Sequence, residues 1–214
     1  MMFDQKAIPL CPMEYSGADS ASDFKLLRPV VFSLLPEVGR NARLLDVGCG
    51  NGYWAGQIAR RGFQVVGIDP SRTGIELARA TFPGVRFEAL DAAGDLCERL
   101  GEGPFDFITS LEVVEHLYCP LDWALACYRA LKPGGRLICS TPYHGFMKNL
   151  ALSAFDGWDR HFAPNWDGGH IKFWSRRTIG QLLAQAGFQS SQMQFRGAGR
   201  IPYFWRSMVI SLPR

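Results

Sequence analysis

The sequence lacks a long apolar run, and this absence limits where the protein can work. No segment approaches the roughly 18 consecutive apolar residues of a membrane span. The first residues carry Asp4, Lys6 and Glu14 where a signal peptide would have an apolar stretch. The six cysteines include no C-x-x-C pair, and several lie in apolar runs typical of small buried side chains. We therefore expect a protein of the reducing cytoplasm with no transmembrane segment.

Charge of one sign is not concentrated either. The 23 Lys and Arg residues and the 20 Asp and Glu residues give a net charge of +3, and the basic residues are scattered along the chain. A nucleic-acid interface usually shows as a basic stripe, so nucleic acid is an improbable partner that the charge does not exclude. The 214 residues, 47% of them hydrophobic, predict one domain over residues 1–214 with a sizeable core.

From residue 42 onward, short β-rich runs alternate with longer amphipathic ones, as in a parallel sheet with crossover helices. The predicted strands are Arg43–Val47, Gln64–Ile68, Val85–Ala89, Phe105–Ser110 and Arg136–Ser140. The predicted helices span residues 52–61, 72–81, 93–99, 121–131 and 175–186. Ser71 is positioned to cap the second of these helices, and Lys132–Gly135 predicts a turn before the fifth strand.

The ends of the chain complete a seven-stranded sheet. A helix over residues 22–36, capped by Ser22 or Asp23, is expected to pack at the edge of the sheet. Phe188–Phe195 and Ile201–Ile210 predict a closing hairpin, because no helix separates them. The segment Ile201–Leu212 is interpreted as a core strand, with a membrane-surface contact as the alternative. The fold class is therefore α/β, a Rossmann-like, mostly parallel sheet with helices on both faces.

A long segment after the fifth strand, residues 142–174, does not follow this alternation. It is rich in turn residues, and loops of such length are usually functional or disordered. Its bulky aromatic side chains argue against disorder, and they are Tyr143, Phe146, Phe155, Trp158, Phe162, Trp166, Phe173 and Trp174. We interpret the segment as an insert that forms a lid over a substrate.

A glycine-rich turn follows the first strand. The strand ends in Asp46 and runs into Gly48-x-Gly50-x-Gly52, which predicts backbone N–H groups at the start of a helix with no side chains in the way. Residues 50–55 also fit the G-x-G-x-x-A fingerprint of dinucleotide-binding proteins. That fingerprint should open directly after the strand, however, whereas here Asp46 precedes the first glycine. A carboxylate at this place suits a cationic ligand.

Two further acids end neighbouring strands. Asp69, after the second strand, is placed to accept hydrogen bonds from ribose hydroxyls, although dehydrogenases share this acid. Asp91, after the third strand, is placed to accept from an adenine amino group. A cap for the following helix is the alternative role of Asp91.

In these motifs the chain resembles the class I S-adenosylmethionine (SAM)-dependent methyltransferases. The resemblance is carried by residues 45–52, Gly67–Asp69, Phe105–Asp106 and Leu131–Gly135, in that order, and covers about residues 23–190. The motif pattern is most similar to the ubiquinone-biosynthesis O-methyltransferases. The resemblance implies SAM as cofactor, with S-adenosylhomocysteine as product. The implied cofactor contacts are Arg28, Asp46, Gly48, Cys49, Gly50, Asp69, Pro70, Asp91, Ala92 and Leu111.

An acidic and histidine cluster follows the fourth strand. Glu112, Glu115 and His116 are spaced to share one face of a helical turn, at the strand ends where open α/β sheets bind ligands. Such a set suits either a divalent metal or a histidine general base oriented by an acid. A purely structural role, in which Glu115 and His116 hold the loop and Glu112 contacts the cofactor, is the third alternative.

The cluster also resembles that of the small-RNA 2′-O-methyltransferases, in which a further histidine comes from the insert. His170 stands at that place, so the candidate metal ligands are Glu112, Glu115, His116 and His170, and the first three are the candidate catalytic residues. By ligand preference this set suits Mn²⁺, Fe²⁺ or Zn²⁺ better than Mg²⁺.

The expected function is O-methylation of a small hydroxylated substrate, aromatic or quinone-like. An RNA 2′-O-methyltransferase with a Glu/Glu/His/His metal site is the alternative. Alternatives of another class are a non-catalytic SAM-binding module and an NAD(P)-dependent oxidoreductase. The sequence does not predict the oligomeric state.

Overall fold

The computed structural model describes residues 14–15, 24–37, 42–162, 164–165 and 167–214. The strands are β1 Arg43–Val47, β2 Gln64–Ile68, β3 Arg86–Glu88, β4 Phe105–Leu111, β5 Leu131–Pro142, β6 Gln194–Ala198 and β7 Ser207–Pro213. The helices are α1 Phe24–Leu34, α2 Tyr53–Ala59, α3 Arg72–Thr81, α4 Leu96–Leu100, α5 Pro120–Ala130, α6 Phe146–Ala154, α7 Trp158–Phe162 and α8 Arg176–Gln185. Short 3₁₀ turns cover Val114–His116 and Ser190–Gln192.

The strands form one seven-stranded sheet in the order β3-β2-β1-β4-β5-β7-β6. Strands β1 to β5 pair in parallel, and β7 runs antiparallel to both β5 and β6. One apolar cluster joins the sheet to α4, α5 and α8, and a second joins it to α1, α2 and α3. Neighbouring residues of β1 divide between the clusters, with Leu44 in one and Leu45 in the other, because side chains alternate across a strand. The predicted fold class is confirmed.

Helix α1 lies within the helix predicted over residues 22–36. Its caps, proposed at Ser22 and Asp23, lie outside the described residues. The ring of Phe24 packs on α2, with its centroid 4.7 Å from that of Tyr53 and 4.6 Å from that of Trp54. This contact places α1 beside the glycine turn that precedes α2.

The C-terminal half departs from the predicted strand limits. Lys132–Gly135 belongs to β5, because the strand begins at Leu131 and its pairing with β4 shifts register between Phe105 and Phe107. The closing hairpin comes later than predicted. Phe188 follows the left-handed Gly187 and packs edge-on against Tyr128, with 5.1 Å between ring centroids, so it leaves the sheet.

The segment 201–212 divides in two. Its second half is the buried strand β7, as predicted, whereas Ile201, Tyr203 and Phe204 are 63%, 61% and 44% exposed in the β6–β7 loop. Trp205 of this loop packs directly against Gly197 of β6 and against Gly199.

The insert of residues 142–174 carries α6 and α7. A backbone bridge pairs Tyr143 with Trp174, and the His144 N–H donates to the Trp174 carbonyl over 3.1 Å, so the two ends of the insert are joined. Trp166 lies outside the described residues. Within the part of the chain that the structure describes, no helix is long and apolar enough to cross a membrane.

Candidate active site

The loop between β1 and α2 requires glycine at three positions. Gly48, Gly50 and Gly52 have φ values of 78°, 53° and 76°, a region that side chains disfavour. A Cβ at Gly48 would also lie 2.4 Å from Cγ2 of Val113, which follows β4. The loop therefore packs directly against the turn that carries the candidate catalytic residues.

The N–H groups of this loop point inward. Gly48 and Cys49 both donate to the Ile68 carbonyl, over 2.8 and 2.9 Å, and Gly50 donates to Asp69 Oδ2 over 2.9 Å. The sequence suggested that these donors would face a ligand, and the structure corrects that expectation, since they fasten the loop to β2. These three N–H groups are therefore used within the fold, at the position where a dinucleotide-binding loop offers donors to a pyrophosphate.

Asp46 is buried at the end of β1, 2% exposed. Its Oδ1 accepts from the Thr109 hydroxyl of β4 over 2.7 Å, while Oδ2 has no described donor within hydrogen-bond distance. Burial raises the pKa of Asp46 to about 7 and nearby Asp69 adds to the rise, while the Thr109 hydrogen bond and the backbone N–H of Ala55 oppose it. A buried carboxylate with an unsatisfied oxygen suits a cationic ligand group, because such a group would favour the ionised form.

Asp69 follows β2 and is 8% exposed. Besides the Gly50 N–H on Oδ2, its Oδ1 accepts from the Ser71 N–H over 2.8 Å. Burial raises the pKa of Asp69, and these two hydrogen bonds oppose the rise. The predicted cap of α3 is confirmed, because Ser71 Oγ accepts from the Gly74 N–H over 3.1 Å. The carboxylate is thus held in one orientation, beside the exposed Pro70.

Asp91 lies after β3 and is exposed. Its carboxylate is paired with Arg99 of α4. Its alternative role as a helix cap is wrong, because Asp95 caps α4 by accepting from the Glu98 N–H over 3.0 Å. Ala92 next to it is half-buried. Contact of either residue with adenine stays a prediction.

The two remaining cofactor candidates lie on different elements. Leu111, at the end of β4, is 8% exposed. Arg28 is exposed on α1, where its guanidinium carbon lies 5.6 Å from the centroid of the Phe32 ring. The role of both residues toward the cofactor stays a prediction.

Glu112 is turned away from the other acidic and histidine candidates. Its φ is 56°, and its carboxylate accepts from Ser140 Oγ of β5 over 2.7 Å and from Ser207 Oγ of β7 over 3.1 Å. Its N–H also donates to the Ser140 hydroxyl over 3.0 Å. These contacts fasten the turn after β4 to the neighbouring strands and hold the carboxylate there.

Glu115, His116 and His170 do come together. Each offers one ligand atom, and these atoms lie within 4.8 Å of one another. The ring centroids of His116 and His170 are 4.9 Å apart, and Glu115 is fully buried. The four-residue set predicted from the sequence thus becomes a group of three, which we call the histidine group, and Glu112 lies outside it.

The turn 114–116 is hydrogen-bonded to the end of the insert. His116 Nδ1 lies 2.7 Å from the Gly168 carbonyl, while Ile171 and Lys172 donate their N–H groups to the Glu115 carbonyl over 2.9 and 3.0 Å. Because a carbonyl only accepts, the Nδ1 of His116 carries the proton in that contact, and Nε2 offers a lone pair in the neutral ring.

Burial lowers the pKa of His170 to about 4, and His116, His161 and Lys148 add to the fall. The His170 imidazole is therefore neutral near pH 7. A neutral imidazole can accept a proton or bind a metal.

The insert holds a cluster of aromatic rings. Phe162 stacks on Trp158 with 4.8 Å between centroids and lies 4.3 Å from Phe173, while His144 lies 5.3 Å from His161. Outside this cluster the insert exposes apolar side chains of α6 and the residue after it, namely Phe146, Met147, Leu150 and Phe155.

The sequence reasoning missed several side chains of the site. Thr109 holds Asp46, and the signal was the polar pair Thr109–Ser110 near the end of an apolar strand. Ser140 and Ser207 hold Glu112 and lie on strands distant in sequence. Tyr15 lies against Gly50, and nothing in its short sequence context indicated that contact.

A family model described as a methyltransferase domain matches residues 22–192. The ubiquinone biosynthesis O-methyltransferase of Roseobacter denitrificans is 40% identical over 108 residues, which are 50% of this chain and 43% of that protein. The protein of the same description from Cereibacter sphaeroides is 31% identical over 182 residues, covering 83% of this chain and 70% of the relative. Against the first of these relatives, the chain thus spans less than half of the other protein's length.

Solved structures share the fold. An S-adenosylmethionine-dependent methyltransferase from Mesorhizobium loti has a TM-score of 0.66 at 19% identity, covering 92% of this chain and all of that one. The magnesium protoporphyrin IX methyltransferase of Synechocystis, solved with S-adenosylhomocysteine bound, has a TM-score of 0.65 at 18% identity, covering 89% and 82%. At these identities the likeness concerns the fold.

Proposed function

The chain belongs to the class I SAM-dependent methyltransferases, and we propose that it methylates a hydroxyl group of a small, aromatic or quinone-like acceptor. The observation that carries this proposal is the histidine group, which lies after β4 and is hydrogen-bonded to the end of the aromatic insert. The names of the relatives, which are O-methyltransferases, support it as well.

We place the cofactor at the carboxyl ends of β1 and β2. Asp46 has an unsatisfied buried oxygen that suits the cationic part of SAM, and Asp69 is oriented to accept from the ribose. Asp91 would accept from the adenine. The close packing of Gly48 on Val113 keeps this site next to the turn with His116, which methyl transfer requires.

Methyl transfer is an in-line displacement, in which the acceptor oxygen attacks the methyl carbon as S-adenosylhomocysteine leaves. The protein mainly aligns the two reactants. An oxygen acceptor must also lose its proton, and Nε2 of His116 is the base that we assign to this step. The Gly168 carbonyl fixes the ring for that role by accepting from Nδ1–H.

A metal-assisted variant is the second candidate, because the histidine group offers one carboxylate and two imidazoles within 4.8 Å. This donor set suits Fe²⁺, Mn²⁺ or Zn²⁺. Glu115, His116 and His170 would hold the ion, which would lower the pKa of the acceptor hydroxyl. Glu112 is no part of this proposal, since Ser140 and Ser207 hold it elsewhere.

A small apolar acceptor fits the insert better than RNA does. Phe146 and Phe155 are 77% and 84% exposed, and they give the surface of the insert an apolar character. RNA binding relies on basic surfaces that follow the phosphate backbone.

His116→Ala tests the base. We expect kcat for hydroxylated aromatic acceptors to fall by about 10² to 10⁴, while the Kd of SAM changes less than about twofold. His161→Ala is the matched comparison, because His161 lies in the aromatic cluster and outside the histidine group; it should raise KM for the acceptor more than it lowers kcat. Unchanged turnover in His116→Ala would exclude the assignment.

Chelation separates the two candidate mechanisms. Treatment with EDTA should leave turnover intact if His116 acts alone, and should abolish it, with recovery on adding Mn²⁺, Fe²⁺ or Zn²⁺, if a metal assists. Metal content measured on His170→Ala provides a readout independent of activity, since that variant loses one of three donors.

A further inference from the structure

Tyr15 lies directly on the backbone of the glycine loop. A Cβ built at Gly50 would be 2.5 Å from the Tyr15 hydroxyl oxygen, and one built at Gly74 would be 2.9 Å from its Cδ2. No side chain fits at either position without displacing the ring. The Tyr15 ring thus packs on the two glycines, between the glycine loop and the start of α3.

A chain of polar contacts joins Tyr15 to Asp69. The Tyr15 N–H donates to Thr73 Oγ1 over 3.3 Å, and Thr73 Oγ1 lies 3.1 Å from Ser71 Oγ. The Ser71 N–H in turn donates to Asp69 Oδ1. The backbone of Tyr15 is thereby held at the end of β2, where we place the ribose.

The Tyr15 hydroxyl remains a proton donor at neutral pH. Burial raises its pKa, and the carboxylate of Asp69 and the Cys49 thiol raise it further. Among the described residues, no hydrogen bond joins this hydroxyl to another group. A ligand that reaches Asp69 therefore meets a phenolic donor beside it.

We propose that Tyr15 forms the outer wall of the cofactor pocket and donates a hydrogen bond to the ribose of SAM, while Asp69 accepts hydrogen bonds from the ribose hydroxyls. This proposal rests on the placement of the ribose at Asp69. It makes Tyr15 part of the binding site, although this residue lies outside the family match to residues 22–192.

The test compares Tyr15→Phe and Tyr15→Ala by calorimetry with two probes, S-adenosylhomocysteine and 5′-methylthioadenosine. Both contain the ribose, but only the first contains the amino-acid part. Tyr15→Phe should raise the Kd of both probes about fivefold, as for one lost hydrogen bond. Tyr15→Ala should raise both about thirtyfold, because the ring is lost as well. Tyr203→Phe, at a tyrosine 61% exposed in the β6–β7 loop, is the matched control and should leave both unchanged.

Three results would overturn the proposal. Unchanged affinities would make Tyr15 a structural residue, and tighter binding by Tyr15→Ala would mean that the ring blocks the pocket. Weaker binding of S-adenosylhomocysteine with unchanged binding of 5′-methylthioadenosine would mean that the Tyr15 hydroxyl contacts the amino-acid part of the ligand and not the ribose. If Tyr15→Ala fails to fold, Tyr15→Phe decides. Failure of the unaltered protein to bind either probe would instead refute the cofactor site itself.

Discussion

The cofactor region and the acceptor region are built in different ways. The cofactor region is the loop 48–52 with the ends of β1 and β2, and its contacts join paired strands, such as Gly50 to Asp69 after β2 and Asp46 of β1 to Thr109 of β4. The acceptor region is the turn 114–116 with the insert, and its contacts join the sheet to the insert, such as His116 to Gly168. The first is fixed by strand pairing, whereas the second depends on how the insert folds back.

This difference predicts that the two regions fail separately. Changes in the cofactor region should weaken the binding of SAM, and changes in the acceptor region should slow turnover while SAM still binds. The close contact of Gly48 with Val113 joins the two regions, so a change there should affect both SAM binding and turnover.

Beyond the loss expected for His116→Ala, the largest expected effect is that of Asp69→Ala on cofactor binding. The variant loses the proposed ribose acceptor and leaves the Gly50 and Ser71 N–H groups without their acceptor. We expect the Kd of S-adenosylhomocysteine, measured by calorimetry, to rise about a hundredfold or more. Asp91→Ala is the matched comparison and should raise it less than about tenfold, because Asp91 is exposed and already paired with Arg99. A larger effect at Asp91 would refute this order, and a thermal melt would show whether Asp69→Ala still folds.

The next effect distinguishes Glu115 from Glu112. Glu115→Gln should lower kcat about a hundredfold, because it removes the buried carboxylate of the histidine group. Glu112→Gln should lower it about fivefold at most, because an amide can still accept from Ser140 and donate to Ser207. Steady-state kinetics at saturating SAM measures both, and a reversed order would return Glu112 to the catalytic set.

The smallest effect concerns pH. With the pKa of Asp46 raised to about 7 by burial, its carboxyl is mostly protonated at pH 6 and mostly ionised at pH 8. Attraction for a cationic cofactor is therefore lost as pH falls, and the Kd of SAM should be up to about tenfold higher at pH 6 than at pH 8. The neutral probe 5′-methylthioadenosine lacks the cationic groups and should not follow this trend. Equal pH dependence of both ligands would contradict the role of Asp46.

The sequence was sufficient for the parts of the fold with local signals. Strands β1 and β2 have the predicted limits, and the cap at Ser71 is confirmed. Buried apolar runs and turn residues determine these elements without help from distant contacts. The predicted limits of β5 and of the hairpin are wrong, because tertiary contacts determine where these strands begin and end. Phe188, for example, packs in the core beside Tyr128 instead of joining the sheet.

The candidate site shows the same difference between local sequence signals and contacts with distant residues. The spacing of Glu112, Glu115 and His116 suggested one shared face, which a regular helix would give. The positive φ of Glu112 and the hydroxyls of β5 and β7 instead turn its carboxylate away. His170 joined the group as expected, because the resemblance supplied a contact that spacing alone could not.

All four histidines of the chain lie in the acceptor region, two in the histidine group and two in the aromatic cluster. Every imidazole signal in a nuclear magnetic resonance spectrum therefore originates within this one part of the molecule. Selective ¹⁵N labelling of histidine would turn the whole protein into a reporter of acceptor binding, with the cofactor half spectroscopically silent.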